Sequence, residues 1–145
     1  MKKIFIIFFL FFVVSCGPVE EINFVTPSGK PEILIENSNI QKIKSKIIND
    51  FLAKGGRIEK DTDFSLSIMV ENENFWGQVL LGTEASGYKN FERVDFNFAE
   101  MENGIKVFAQ YYFVTGYGTT NEQASQMNSN SSLNQLQGYL RTLKN

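Results

Sequence analysis

Histidine is absent from this sequence. Its loss removes the commonest general base, the usual switch near neutral pH and the commonest transition-metal ligand. A serine nucleophile would then need lysine as its base, and no Ser/Lys spacing sits in a convincing context. There is one cysteine, so no disulfide can form within the chain and packing alone must stabilise it. Basic residues (14) do not outnumber acidic ones (16), which argues against the basic face of a nucleic-acid binder. No apolar run approaches the roughly 20 residues needed to cross a bilayer as a helix. These gaps exclude most catalytic classes, and we expect neither an enzyme nor a metal or cofactor site.

The clearest positive signal is at the start. Lys2 and Lys3 precede an unbroken apolar run, Ile4 to Val14, which ends at Ser15, Cys16 and Gly17. A basic start, a short apolar core and a small-residue boundary are the parts of a signal peptide. Val13-Val14-Ser15-Cys16 resembles the lipobox of bacterial lipoproteins, and that resemblance implies a diacylglycerol on the Cys16 sulfur followed by cleavage before Cys16. The sequence therefore predicts a leader over 1–15, an acylated Cys16 with a flexible tether over 16–30, and one domain over 31–145. Cys16 is read as a membrane anchor held by acyl chains (palmitate-type), since two or more such chains bind stably where one does not. Gly17, in place of an aspartate, resembles lipoproteins sorted to the outer membrane of the cell envelope, here facing the periplasm. The leader takes two of the basic residues and none of the acidic ones, leaving the remainder near −4.

Periodicity gives the domain. Ile33 and Ile35 predict a short strand. Ser38 with Gln41 matches a capping box. Ile40, Ile43, Ile47 and Phe51 then recur at helical steps with Lys42, Lys44 and Lys46 largely outside the stripe, and Gly55-Gly56 can close the helix. Phe64, Leu66, Ile68 and Val70 alternate as a half-buried strand. Phe75 to Leu81 reads as a further strand and 82–90 as a loop. Asn103-Gly104 is the favoured centre of a two-residue turn. With those residues as the loop, Phe98 faces Ala109, Phe96 faces Tyr111 and Val94 faces Phe113, all on one side. Thr120 to Ser132 is polar, with Thr120/Gln123 and Ser132/Gln135 as possible caps for one helix or two. Leu133, Leu136, Leu140 and Leu143 mark a terminal amphipathic helix. The predicted fold is α+β, a two-layer sandwich with a mainly antiparallel sheet of four or five strands covered by two helices.

Candidate chemistry is sparse. Glu59, Asp61 and Asp63 crowd what reads as a turn, and they supply too few oxygens in the wrong spacing for calcium. Gly116-Tyr117-Gly118, ahead of a predicted helix, lacks the third glycine of a dinucleotide loop. Asp95 and Glu100 read as surface carboxylates. Phe75, Trp76 and Leu80 form the most prominent apolar group outside the helices, and Phe108 and Tyr112 share the hairpin's second face with Val114. These five residues are the candidates for partner contact, because aromatic side chains dominate binding hot spots.

The succession Ile33-Leu34-Ile35, a capped helix, Ala53-Lys54-Gly55-Gly56-Arg57-Ile58, then Asp63-Phe64-Ser65-Leu66-Ser67-Ile68 resembles small envelope lipoproteins. These include the TraT surface-exclusion family, the LPS-assembly lipoproteins and related conjugation- or secretion-associated lipoproteins. Gly56 stands where their pattern has an aromatic residue. The resemblance implies a non-enzymatic accessory or assembly component of a membrane complex, anchored through Cys16 and bound to an envelope protein by protein–protein interaction. An immunity or inhibitor lipoprotein that binds a toxin or hydrolase is the alternative, suggested by small size and acidic charge.

Overall fold

The hairpin organises the described chain. The computed structural model describes residues 21–71 and 91–144. In order they form β1 (Glu32–Glu36), α1 (Ile40–Leu52), β2 (Arg57–Thr62), β3 (Ser65–Glu71), β4 (Phe91–Met101), β5 (Gly104–Thr115), β6 (Gln123–Gln126) and α2 (Asn130–Thr142). The strands make one open antiparallel sheet in the order β1-β5-β4-β3-β2, with β6 also on β5, and the architecture is α+β in kind. Six strands replace the four or five expected.

β4 and β5 pair along their length with Phe98 opposite Val107, Phe96 opposite Ala109 and Val94 opposite Tyr111. That register is two residues away from the predicted one, because Met101 pairs Gly104 and the loop is Glu102-Asn103. The predicted turn needs positive φ in both loop residues. Among the described non-glycine residues only Asn37 has it, and in this hairpin it falls to Gly104, at +154°. β1 crosses there. A Cβ on Gly104 would lie 2.8 Å from the Glu36 Cα and closer still to the Ile35 carbonyl oxygen, so glycine is required by space as well as by angle. Because side chains alternate with period two, a slip of two leaves every residue on its predicted face.

β5 is shared along its outer edge. β1 pairs its first half, Glu32 opposite Phe108, and β6 pairs its last residues, Tyr112 opposite Gln126. The Pro31 carbonyl accepts from the Ala109 N–H and the Tyr111 carbonyl from the Met127 N–H, closing the seam between them. β6 corrects the helical expectation for Thr120 to Ser132. β2 likewise corrects the acidic turn: Arg57 to Thr62 pairs β3 through a bulge between Ile58 and Lys60.

Both helices pack with one side of the sheet. Ile40, Ile43 and Ile47 of α1, and Leu136 and Leu140 of α2 with Leu143 just beyond it, share a core with Ile33, Ile35, Leu66, Ile68, Val94, Phe96, Phe98, Ile105, Val107 and Ala109. Phe51 meets Phe96 and Tyr139 edge-on, at centroid distances of 6.0 and 5.3 Å. The α1 cap is Asn39, not Ser38: its Oδ1 accepts from the Lys42 N–H at 2.8 Å. Gly55, at φ +78°, closes the helix as expected, and the Gly56 N–H donates to the Phe51 carbonyl. α2 begins at a Ser129 cap, whose Oγ accepts from the Ser132 N–H, rather than at Thr120 or Ser132. Among the described residues no helix is long and apolar enough to cross a membrane.

Candidate functional site

Alternation along β3, β4 and β5 sends a second set of side chains to the opposite face, and this set is of another kind. Direct pairing lines up Arg57, Met69, Arg93 and Tyr112 across four strands. A parallel row puts Phe91 opposite Val114. Met69, Phe91 and Val114 are buried as a small cluster separate from the main core, with Tyr112 and Tyr117 packed against it. The Arg57 guanidinium stacks between two rings, 4.6 Å from Phe91 and 4.3 Å from Tyr117. Arg93 repeats the motif over Tyr112 at 4.7 Å and pairs with Asp95 at 3.2 Å. The planar, weakly hydrated guanidinium suits such stacking, where an ammonium would hold its water.

Hydrogen bonds fix the aromatic edges. The Tyr112 hydroxyl donates to Gln110 Oε1 at 2.9 Å and the Tyr117 hydroxyl to Glu59 Oε1 at 2.6 Å. Glu59 also pairs with Arg57 at 3.3 Å. Accepting from the neutral phenol, Glu59 raises the Tyr117 pKa above its ordinary 10.0, with desolvation adding to the effect and the Arg57 charge opposing it. The arrangement can hold a planar or aromatic group of a partner by stacking and hydrogen bonding.

The remaining charged centres are structural. Lys44, expected on the solvent side of α1, is buried with 3% of its side chain exposed, and Nζ reaches Asp61 Oδ1 at 2.6 Å and the Thr62 carbonyl. Asp61 is therefore the counter-ion that ties α1 to β2, not part of a solvated turn. Glu59 and Asp61 are split between two sets of partners. Among the described residues no group of acidic or cysteine side chains is placed to hold a metal ion. Gly116-Tyr117-Gly118 links β5 to β6 rather than leading into a helix, with φ of +63° and +74° at its glycines. Asp95, read as a surface carboxylate, is half-buried beside Arg93.

α2 holds two stretches of backbone through carboxamides one turn apart. Gln137 accepts from the Glu32 N–H and donates to the Glu32 carbonyl, both at 3.0 Å, so one side chain completes the outer edge of β1. Asn134 does the same for the segment before β1, accepting from the Asn23 N–H at 2.9 Å and donating to the Glu21 carbonyl at 2.8 Å. Phe24 is buried beyond it. Within the expected tether, Glu21 to Phe24 are thus attached to the domain. The Glu32 carboxylate pairs with Lys106 Nζ at 2.8 Å. Burial alone would raise its pKa, and hydrogen bonds from Lys106 and Ser28 more than offset this, holding it below the usual value.

Of the predicted contact residues, Phe108 and Tyr112 lie on the second face, four positions apart on β5. Phe108 receives the Lys106 ammonium at 5.1 Å. Cys16, Phe75, Trp76 and Leu80 lie outside the described residues, as do the strand expected over 75–81 and the loop over 82–90. Arg57 and Arg93 are the functional candidates that sequence reasoning missed. Their signal was available in the alternation: both fall in phase with Met69 and Tyr112 once the strands are paired. No protein family, curated protein or solved structure matches this chain.

Proposed function

We propose that the chain is a bacterial envelope lipoprotein, held in the outer membrane by acyl groups on Cys16 and facing the periplasm. It acts there without catalysis, as an accessory or assembly component of a larger membrane complex of conjugation, secretion or LPS-transport type. One observation carries this reading: Lys2-Lys3, an eleven-residue apolar run and Ser15-Cys16-Gly17 follow one another in the order that lipidation requires. In this reading the two helices and the sheet form a two-layer sandwich, leaving the second face for a protein partner. The stacked arginines and tyrosines support that assignment, since Arg and Tyr are enriched where interfaces hold most of their binding energy.

The experiment is an intact-mass measurement of the matured protein from envelope fractions, paired with Cys16→Ala. A product starting at Cys16 with added acyl mass, and loss of both membrane association and that mass in Cys16→Ala, is the expected result. A leader still attached, or a bare thiol, overturns the reading. Capture of the acylated protein from envelopes solubilised in mild detergent then tests for an integral membrane partner. Arg93→Ala should reduce that capture and leave acylation unchanged.

A further inference from the structure

The segment nearest the acylation site is not uniformly polar. Ile22 is 46% exposed and Val25 fully exposed, although Phe24 between them is buried. Val25 lines an open cleft of about 490 Å³ together with Pro27, Leu34, Met101, Arg141 and Lys144. Met101, at the β4–β5 turn, is itself half exposed. The rim of this cleft therefore shows two exposed large apolar side chains, Val25 and Met101, beside two exposed cations from the last turn of α2 and the residues after it. Lys106, also on the cleft, is neutralised by Glu32. Glu100 and Glu102 flank Met101 on the adjoining concavity, so the charge here is mixed rather than basic.

Length then restricts what this end can face. Five Cα steps separate Cys16 from Glu21, and at about 3.5 Å each they span no more than about 17 Å. Glu21 and Asn23 are fastened to Asn134, so the leash cannot lengthen by peeling off residues without breaking those hydrogen bonds. We infer that the Val25 and Met101 surface, with Arg141 and Lys144, rests on the headgroup–acyl boundary of the bilayer that holds Cys16, and so fixes the orientation of the domain. The inference rests on the proposed acylation of Cys16. The occupant is a zwitterionic phospholipid surface. Apolar side chains enter the boundary, Arg141 and Lys144 reach phosphates while their stems lie along apolar surface, and Glu100 and Glu102 meet ammonium groups. Fixing this end on the membrane turns the opposite sheet edge, β2, away from it.

The test uses the full acylated chain in vesicles of phosphatidylethanolamine and phosphatidylcholine, in which the Cys16 thiol is blocked by its own acyl group. Val25→Cys and Ile58→Cys each carry an environment-sensitive thiol dye. Ile58 is also exposed, but it lies on β2, four strand spacings from β1 and thus about 19 Å across the sheet. A spin-labelled lipid quencher should quench the dye at position 25 several-fold more than the dye at position 58, with a blue-shifted emission at position 25 alone. Equal quenching in protein that floats with the vesicles overturns the inference and leaves the anchoring intact. Failure of the wild-type protein to float overturns the anchoring, and this inference with it. Val25→Asp with Met101→Asn, labelled at Thr26→Cys, is the second reading. It should lower quenching at position 26 without releasing the protein, and unchanged quenching counts against the proposal.

Discussion

The two faces of the sheet are built from the same strands and obey different rules. On the face packed with α1 and α2, fully buried Leu66, Phe96, Val107, Ile47 and Leu140 fill space. On the other, Arg57, Arg93, Tyr112 and Tyr117 are positioned by stacking and hydrogen bonds around the small Met69–Phe91–Val114 cluster. The first face draws its stability from apolar area removed from water, at roughly 25 cal/mol per Å². The second buries Met69, Phe91 and Val114 in the same way, and the exposed cation–π pairs around them each contribute only about 0.5–1 kcal/mol. In the proposed reading it is this stacked rim, ordered yet adding little to stability, that a partner meets. Mutations should therefore separate stability from binding according to face.

The largest effect is expected on the packed face. Phe96→Ala removes a fully buried ring that contacts both Phe51 and Tyr139. It should cost about 3–5 kcal/mol, read as a lower urea midpoint with an unchanged slope. A loss below about 1 kcal/mol would show that this face is not the stabilising one.

The comparison sharpens where polar groups do structural work at its margin. Gln137→Leu keeps the volume but leaves the Glu32 N–H and carbonyl without partners. Orphaned buried polar groups cost about 1–3 kcal/mol each, so a loss of about 2 kcal/mol and faster amide exchange at Glu32 are expected. Asp61→Asn leaves the buried Lys44 with the Thr62 carbonyl as its remaining acceptor. Because Asp61 is half exposed, the expected loss is smaller, about 1–2 kcal/mol by thermal or urea unfolding. Lys44→Met in the same background should recover part of it.

How much of this was legible in the sequence follows from the same division. Strong apolar periodicity marked α1, β3, β4, β5 and α2, and it assigned Phe96 and Ala109 to one face even with the hairpin register two residues off. A turn motif is a local preference. The pairing of Glu36 of β1 against Gly104 places that glycine in the strand instead, and nothing in residues 101–105 alone announces that neighbour. β2 and β6 escaped because all their residues are exposed. Strands held by edge pairing carry no apolar alternation, so polarity was read as turn or helix. Lys44 was misplaced because a lysine looks like solvent surface until Asp61 is brought opposite it from β2. Of the candidate contact residues, Phe108 and Tyr112 were found through the hairpin alternation. Arg93 falls on the same face by β4 alternation and was passed over, whereas Arg57, stacked on Phe91 and Tyr117, required the β2–β3 pairing that no apolar pattern announces.

Acid should act at the β1 edge through Glu32. The Glu32 pKa is lowered in the folded state by Lys106 and Ser28, so its contribution is full above the unfolded value, near 4.5, and is lost as pH falls through the folded value. Glu32→Gln should therefore flatten the decline of the unfolding temperature below about pH 4.5, while leaving the profile between pH 6 and 8 in shape. A decline as steep as in the wild-type protein would place the acid sensitivity elsewhere.

The smallest effect is the most specific. Glu59 and Arg57 act on the Tyr117 phenol with opposite signs, the carboxylate raising its pKa and the guanidinium lowering it. Glu59→Gln should bring the Tyr117 titration down toward 10, whereas Arg57→Gln should move it further up. Glu59→Gln should alter folding stability by less than about 1 kcal/mol, and Arg57→Gln, which gives up two cation–π contacts, by about 1–2 kcal/mol. Carbon NMR of Cζ-labelled tyrosine resolves Tyr117 from the half-buried Tyr111 and Tyr139, whose pKa values are raised chiefly by desolvation. Opposite shifts in the two variants would establish that Arg57, Tyr117 and Glu59 form a single electrostatic unit in solution. Shifts of the same sign would mean that this face is not preorganised, and the contrast between a packing face and a recognition face would then lose its physical basis.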